Sequence, residues 1–186
     1  MSKALLVIDY TYDFVADDGR LTCGKPAQAI DEYITQLTKS FVADGDYVVF
    51  AVDVHDENDA FHPETKLFPP HNIRTTKGRD LYGALGRYFA QLAEKGLPDH
   101  VKWMDKTRYS SFAGTDLELF LRARGVNELH LVGVCTDICV LHTAVDAYNK
   151  GYRIVVHEKG VASFNPAGHE WALGHFEGAL GATVIR

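Results

Sequence analysis

Cys139 stands at the start of an apolar helical pattern, four residues after Cys135 and two after Asp137. A free thiol has a pKa of about 8.5, so little of it is thiolate at neutral pH. A helix N-terminus and a nearby cation can lower that value by one to several units. Lys106 is a candidate cation and Asp9 a candidate proton acceptor, while backbone N–H groups at the helix start suit an oxyanion. The plainer alternative is a buried cysteine that acts as a small hydrophobe. A second group lies upstream. Asp53 and His55 are two apart, so an extended segment projects both to one face. His62, Glu64 and His71 follow, with Pro69 and Pro70 stiffening the approach to His71. Two or three imidazoles with a carboxylate suit Zn²⁺, Fe²⁺ or Mn²⁺; the alternative is a polar surface loop with exposed histidines. Phe14, Phe68 and Tyr109 could face one mouth and sandwich a flat ring, or be ordinary core and rim aromatics.

Six runs rich in Val, Ile and Leu must place these groups: Ala4 to Ile8, Tyr47 to Val52, His100 to Met104, Leu129 to Val134, Arg153 to Val156 and Ala182 to Ile185. Continuous apolar runs suit strands buried on both faces. Between them, Ile30, Tyr33, Ile34, Leu37 and Phe41 recur at helical spacing before Gly45, and Val140 to Tyr148 carries another stripe before Gly151. Thr115 and Glu118 form a capping-box pattern. Asn165 and Pro166 read as an N-cap and first helical position. The expected fold is α/β: a doubly wound, mostly parallel six-stranded sheet with helices on both faces, one domain over residues 1–186. Ligands of such sheets bind beyond the carboxyl ends of the strands. Asp9 follows the first run, Asp53 and His55 the second, Asp105 and Lys106 the third, and Cys135 to Cys139 the fourth. The stretch from Asp53 to Asp80 has no periodicity, and a loop that long in a compact domain is functional or disordered.

The 186 residues are 46% hydrophobic and 24% charged, with a net charge of −6. That balance excludes the basic face of a nucleic-acid binder. No run reaches the roughly 20 apolar residues of a membrane span, and the first residues lack a signal-peptide pattern. Cys23, Cys135 and Cys139 cannot all pair within the chain, so the expectation is a cytoplasmic protein with free thiols. Cys135 and Cys139 do not have the spacing of a thioredoxin-like redox pair.

Four segments together resemble the isochorismatase-like cysteine hydrolases, and within them the nicotinamidases, also called pyrazinamidases. They are ALLVIDYTYDF with Asp9, VDVHDENDAFHPETKLFPPH from Val52 to His71, WMDKTRYSSFAGTDL from Trp103 to Leu117, and LVGVCTDICVLHTAVDAY from Leu131 to Tyr148. The resemblance implies a catalytic triad of Asp9, Lys106 and Cys139, with the backbone N–H groups of Cys135 and Cys139 as oxyanion hole and a cis peptide just before Cys135. It implies one divalent ion, Zn²⁺ first with Fe²⁺ or Mn²⁺ as alternatives, on Asp53, His55 and His71, with Glu64 preferred over His62 as the fourth ligand. Phe14 and Tyr109, and more loosely Phe68, match ring-packing positions. The implied reaction is hydrolysis of nicotinamide to nicotinate and ammonia through a Cys139 thioester, as part of NAD salvage, by a protein that is often a homo-oligomer. The alternatives are a relative acting on a carbamoyl or vinyl-ether substrate, against which the metal loop argues, and a non-catalytic thiol redox-sensing module.

Overall fold

The computed structural model describes residues 2–186. Six strands, β1 (Ser2–Ile8), β2 (Tyr47–Asp53), β3 (Val101–Lys106), β4 (Val126–Val134), β5 (Arg153–Ala162) and β6 (Thr183–Ile185), form one sheet in the order β3-β2-β1-β4-β5-β6. Every pairing is parallel, so the expected "mostly parallel" sheet is parallel throughout the described residues. Strand residues alternate between faces. In β1, Ala4, Leu6 and Ile8 enter one apolar cluster while Leu5 and Val7 enter the other. A strand buried on both sides has no polar face, which is why its sequence is a continuous apolar run.

The short helices α1 (Tyr12–Val15) and α2 (Lys25–Ala29) follow β1. With α3 (Asp31–Ala43) and α4 (Gly83–Glu94) they cover one face, through residues such as Phe14, Ile34, Phe41 and Leu85. Helices α5 (Leu117–Arg122), α6 (Leu141–Asn149) and α7 (Pro166–Gly178) cover the other, through Leu117, Leu121, Ala144, Leu173 and Phe176. No helix among the described residues is long and apolar enough to cross a membrane.

Local signals were met unevenly. The Asn165 side chain caps α7 by accepting from the Gly168 N–H at 3.1 Å. The Thr115–Glu118 capping box does not form. α5 starts at Leu117 with Asp116 as its N-cap, and the Glu118 carboxylate turns to Lys150 at 2.6 Å instead. Its charge finds a better partner across the surface than at its own helix start. Helix α4 had no expected counterpart, because only Leu85 of its residues is fully buried and Gly86 interrupts its stripe. β3 runs two residues beyond its apolar run, so Asp105 and Lys106 sit within the strand end. Alternation then sends Lys106 inward and Asp105 outward, to Arg79 at 2.5 Å and the Trp103 indole N–H at 2.8 Å.

From β1 the sheet continues through β2 on one side and β4 on the other. The crevice between β1 and β4 is therefore the topological switch point, where ligands of such sheets bind. Gly133 permits the close approach there: its φ is 118°, and a Cβ would lie 1.9 Å from the Ile8 carbonyl oxygen.

Far from that crevice, a buried polar row crosses β4 and β5. Tyr33 Oη donates to His157 Nδ1 at 2.9 Å, His157 Nε2 donates to His130 Nδ1 at 2.9 Å, and His130 Nε2 donates to Glu128 at 3.1 Å. The row cannot hold a proton on both facing imidazole nitrogens, since one of the two must accept. Burial, reinforced by His130, pushes His157 down to about 4. The folded state therefore refuses a proton that the unfolded chain accepts below about pH 6.5, so this residue's effect is absent above that pH and destabilises as pH falls. The expected outcome is that wild type loses about 2 kcal/mol more than His157→Gln between pH 7.5 and pH 5. Denaturant unfolding of both proteins at several pH values measures this, and parallel pH slopes would contradict it.

Candidate active site

Lys106 is 1% exposed and its ammonium is shared between two carboxylates. Nζ lies 2.7 Å from Asp9 Oδ2 and 2.7 Å from Asp53 Oδ1. It also reaches the Arg108 carbonyl at 3.1 Å and the Cys139 sulfur at 3.8 Å. Each group comes from a neighbouring strand end: Asp9 after β1, Asp53 closing β2, Lys106 closing β3, and Cys139 beyond β4. Asp9 is further fixed by its other oxygen, which accepts the Asp53 N–H at 2.8 Å. Its backbone takes a positive φ of 54° as the chain leaves β1.

Electrostatics separates the two carboxyls. For Asp9, burial and then the charge of Asp53 raise the pKa to about 6, with Lys106 opposing. For Asp53, burial also raises it, but Lys106 and His55 more than compensate and hold it at about 2. Lys106 goes well up, because its two carboxylates outweigh burial.

Cys139 departs from expectation. It lies in a π-helical turn, Thr136–Val140, ahead of α6, and is not the first residue of a regular helix. Burial, together with Asp9 and Asp53, pushes its thiol well above the ordinary range despite Lys106. The lowered thiol pKa expected from a helix N-terminus is therefore not found. The resting group is a thiol, with the Lys106 ammonium 3.8 Å from its sulfur. The cis peptide Val134–Cys135 is present.

Asp53, His55, Glu64 and His71 bring four donor atoms within 4.8 Å of one another, all on buried residues. His71 Nδ1 donates to the Pro69 carbonyl at 2.8 Å. Its Nε2, on a residue only 2% exposed, has no hydrogen-bond partner and lies 3.5 Å from Glu64 Oε2. A buried ring nitrogen with its lone pair free and its tautomer set by a backbone carbonyl is what a metal-ligating histidine requires. Two imidazoles and two carboxylates fit a divalent ion of the zinc, iron or manganese kind. His62 lies outside this group. Its Nε2 donates to the Thr107 carbonyl at 2.7 Å and its Nδ1 accepts the Glu64 N–H at 3.2 Å, so both nitrogens are spent on holding the loop.

Phe14, Phe68 and Tyr109 line one cavity together with Asp53, Glu64, Cys135 and Cys139. Leu21, Ile138 and Phe164 complete its walls. These three, being ordinary apolar residues, carried no chemical signal in the sequence. Asp13 was also missed. This buried carboxylate accepts the N–H of Asn72, next to His71, at 2.8 Å and that of Arg20 at 3.3 Å. Its spacing of four from Asp9 was the one available hint.

The isochorismatase domain matches residues 3–186. The crystal structure of a nicotinamidase/pyrazinamidase from Bacillus subtilis superposes with a TM-score of 0.97 at 61% identity, covering 100% of both chains. A pyrazinamidase/nicotinamidase from Streptococcus mutans gives 0.95 at 58% identity, over 99% of this chain and all of that one. A pyrazinamidase of Pyrococcus horikoshii, solved in complex with zinc, gives 0.83 at 26%, over 100% and 99% of the two chains. With its parallel sheet and its cysteine placed beyond β4, this chain belongs to the isochorismatase family.

Proposed function

We propose that this protein is a nicotinamide amidohydrolase, converting nicotinamide and water to nicotinate and ammonia. One observation carries the reading. The buried group of Cys139, Asp9 and Lys106 shares Asp53 with a metal-type donor set, and both border one aromatic-walled cavity. A cysteine hydrolase alone needs only the first half; the second is what an aromatic ring bearing a donor nitrogen calls for. The relatives named above support this substrate class. Nicotinate is the acid from which pyridine nucleotides are rebuilt, which places the reaction in NAD salvage.

In the proposed sequence, the ring packs among Phe14, Phe68 and Tyr109 with its amide toward Cys139. Asp9 takes the thiol proton as sulfur attacks the amide carbon. A carboxyl tuned to about 6 suits this exchange near neutral pH, where it is mostly ionised yet still able to carry the proton onward. Lys106 offsets the negative charge that appears as the thiol ionises. The backbone N–H groups of Cys135 and Cys139 hold the oxyanion. Asp9 then protonates the departing nitrogen, the C–N bond breaks, and ammonia leaves a thioester on Cys139. A water that loses its proton to Asp9 attacks the thioester and releases nicotinate. Asp53, His55, Glu64 and His71 would hold the divalent ion, Zn²⁺ first with Fe²⁺ or Mn²⁺ as alternatives. When bound, it supplies a Lewis-acid anchor for the ring nitrogen.

The direct test is ammonia release from nicotinamide under reducing conditions with Zn²⁺, Fe²⁺ or Mn²⁺ supplied. No release with any of the three overturns the assignment. Cys139→Ala should lower turnover by at least about 10⁴-fold while the thermal unfolding profile stays cooperative. Retention of a tenth of the activity would exclude the thioester route. Asp13→Asn places an N–H₂ group where a carboxylate accepts two backbone N–H groups, so it should loosen the loop beside His71. Zn²⁺ affinity, measured by chelator competition, should weaken by about tenfold or more. Unchanged affinity in a folded variant would mean that the loop does not depend on Asp13.

A further inference from the structure

Two thiols remain unused by this mechanism. Cys23 and Cys135 are 112 residues apart in sequence, yet their sulfurs lie 3.3 Å apart, each on a residue 5% exposed. Cys135 lines the ring cavity, and Cys23 lies beside it among residues that do. The Cys23 N–H donates to the Phe14 carbonyl at 2.8 Å, and Leu21 lines the cavity two residues earlier. Cys135 and Ile138 line the cavity directly. Spacing along the chain pointed only to Cys135 and Cys139, which do not form a redox pair. The partner brought within reach of Cys135 comes from the far end of the sequence.

We propose that Cys23 and Cys135 form a modification site, in which a hydroperoxide-class oxidant joins them in a reversible disulfide that ties the segment carrying Phe14 and Leu21 to the turn carrying Cys135 and Ile138. A disulfide needs sulfurs about 2.05 Å apart, so closing the pair takes a movement of about 1.2 Å, within reach of small rotations about two Cα–Cβ bonds. Cys135 reacts first, since it alone of the pair lines the cavity through which a small oxidant arrives. Its sulfur attacks one peroxide oxygen. An S–O bond forms, the O–O bond breaks, and the thiol proton leaves with the alkoxide as an alcohol, or as water when the oxidant is hydrogen peroxide. The resulting sulfenic acid meets the Cys23 thiol already in contact. The S–S bond forms, the S–O bond breaks, and hydroxide departs with the Cys23 proton as water. One hydroperoxide is reduced by two electrons and two thiols are oxidised. The hydrogen bond shared with Cys23, in which the protonated Cys135 is the donor, and burial push the Cys135 thiol well up, which makes the first step slow beside that of an exposed thiolate. The second step is fast because it needs no diffusion. The pair therefore captures an oxidation at Cys135 before a second oxidant converts it irreversibly.

The test uses zinc-loaded Cys139→Ser protein, so that no other thiol competes, exposed to hydrogen peroxide and then alkylated under denaturing conditions. The expected result is a protein lighter by two hydrogens, with a Cys23–Cys135 cross-linked peptide in the non-reducing digest that dithiothreitol removes. Cys23→Ala in the same background should give no cross-link and should carry Cys135 on to sulfinic acid. Recovery of both cysteines as alkylated thiols, at peroxide doses that fully oxidise Cys139 in the wild type, overturns the proposal. So does a wild-type digest in which Cys135 is linked to Cys139 and not to Cys23. Neither readout uses hydrolysis, so the outcome stands apart from the nicotinamide assay.

Discussion

The site depends on a buried ammonium. Lys106 lies wholly inside the protein, where an isolated charge would be expelled or neutralised. It stays charged because two carboxylates from adjacent strands meet it at hydrogen-bonding distance. Remove either, and the remaining charges no longer balance in a medium that cannot solvate them. The same requirement fixes geometry. Asp9, Asp53 and Lys106 must end three neighbouring strands at matching height. The parallel register delivers this, with Asp53 opposite Lys106 and Ile8, one residue before Asp9, opposite Ala51. A slip by one residue would reverse the faces and break the cluster.

One cation between two acids also gives each acid a separate task. Asp53, facing both Lys106 and His55, stays ionised and can serve a cation on its other oxygen. Asp9, equally buried and repelled by Asp53, is raised to about 6. Pairs of titratable groups whose surroundings push their pKa values apart divide acid and base roles between them. This changes the account of the nucleophile. The helix-start argument made Cys139 a ready thiolate. The structure instead buries a neutral thiol within 4.8 Å of a carboxylate raised only to about 6, so at rest the proton stays on sulfur. In the proposed reaction, activation then accompanies attack and does not precede it.

Much of this was legible in the chain because strand ends are legible. The apolar runs of β1, β2 and β4 are continuous, so the residues that break them, Asp9, Asp53 and Cys135, announce the carboxyl edge of the sheet. Lys106 was found the same way, although β3 ends on it. What could not be read was contact between elements without a local pattern. Asp13 looks like any surface acid of a short helix until the loop carrying Asn72 folds over it. Cys23 sits in an aperiodic turn with nothing to tie it to Cys135. Helix α4 lacks the full apolar stripe by which helices are recognised, since it packs at the sheet margin over α3. That Glu64 and not His62 joins the donor group follows from the hydrogen bonds on both His62 ring nitrogens, which spacing cannot show.

The long segment after β2 shows why the donor set need not await its ion. A loop of this length would carry many unmet backbone groups if only the metal organised it. Here protein atoms meet them. Asp13 holds the Asn72 N–H, Thr11 donates to the Asn72 side chain at 3.0 Å, Arg79 donates to the Asp53 carbonyl at 2.8 Å, and His62 reaches Thr107. Single bridges join His55 to Ile73 and Thr11 to Leu81. Metal sites whose ligands are scattered in the apo chain spend binding energy on folding. This one has already paid that ordering cost through its own hydrogen bonds. In the proposed reaction the ion's binding energy is then available to hold ligand and ring in fixed relation, which is where aligning one amide carbon with one sulfur has most use for it.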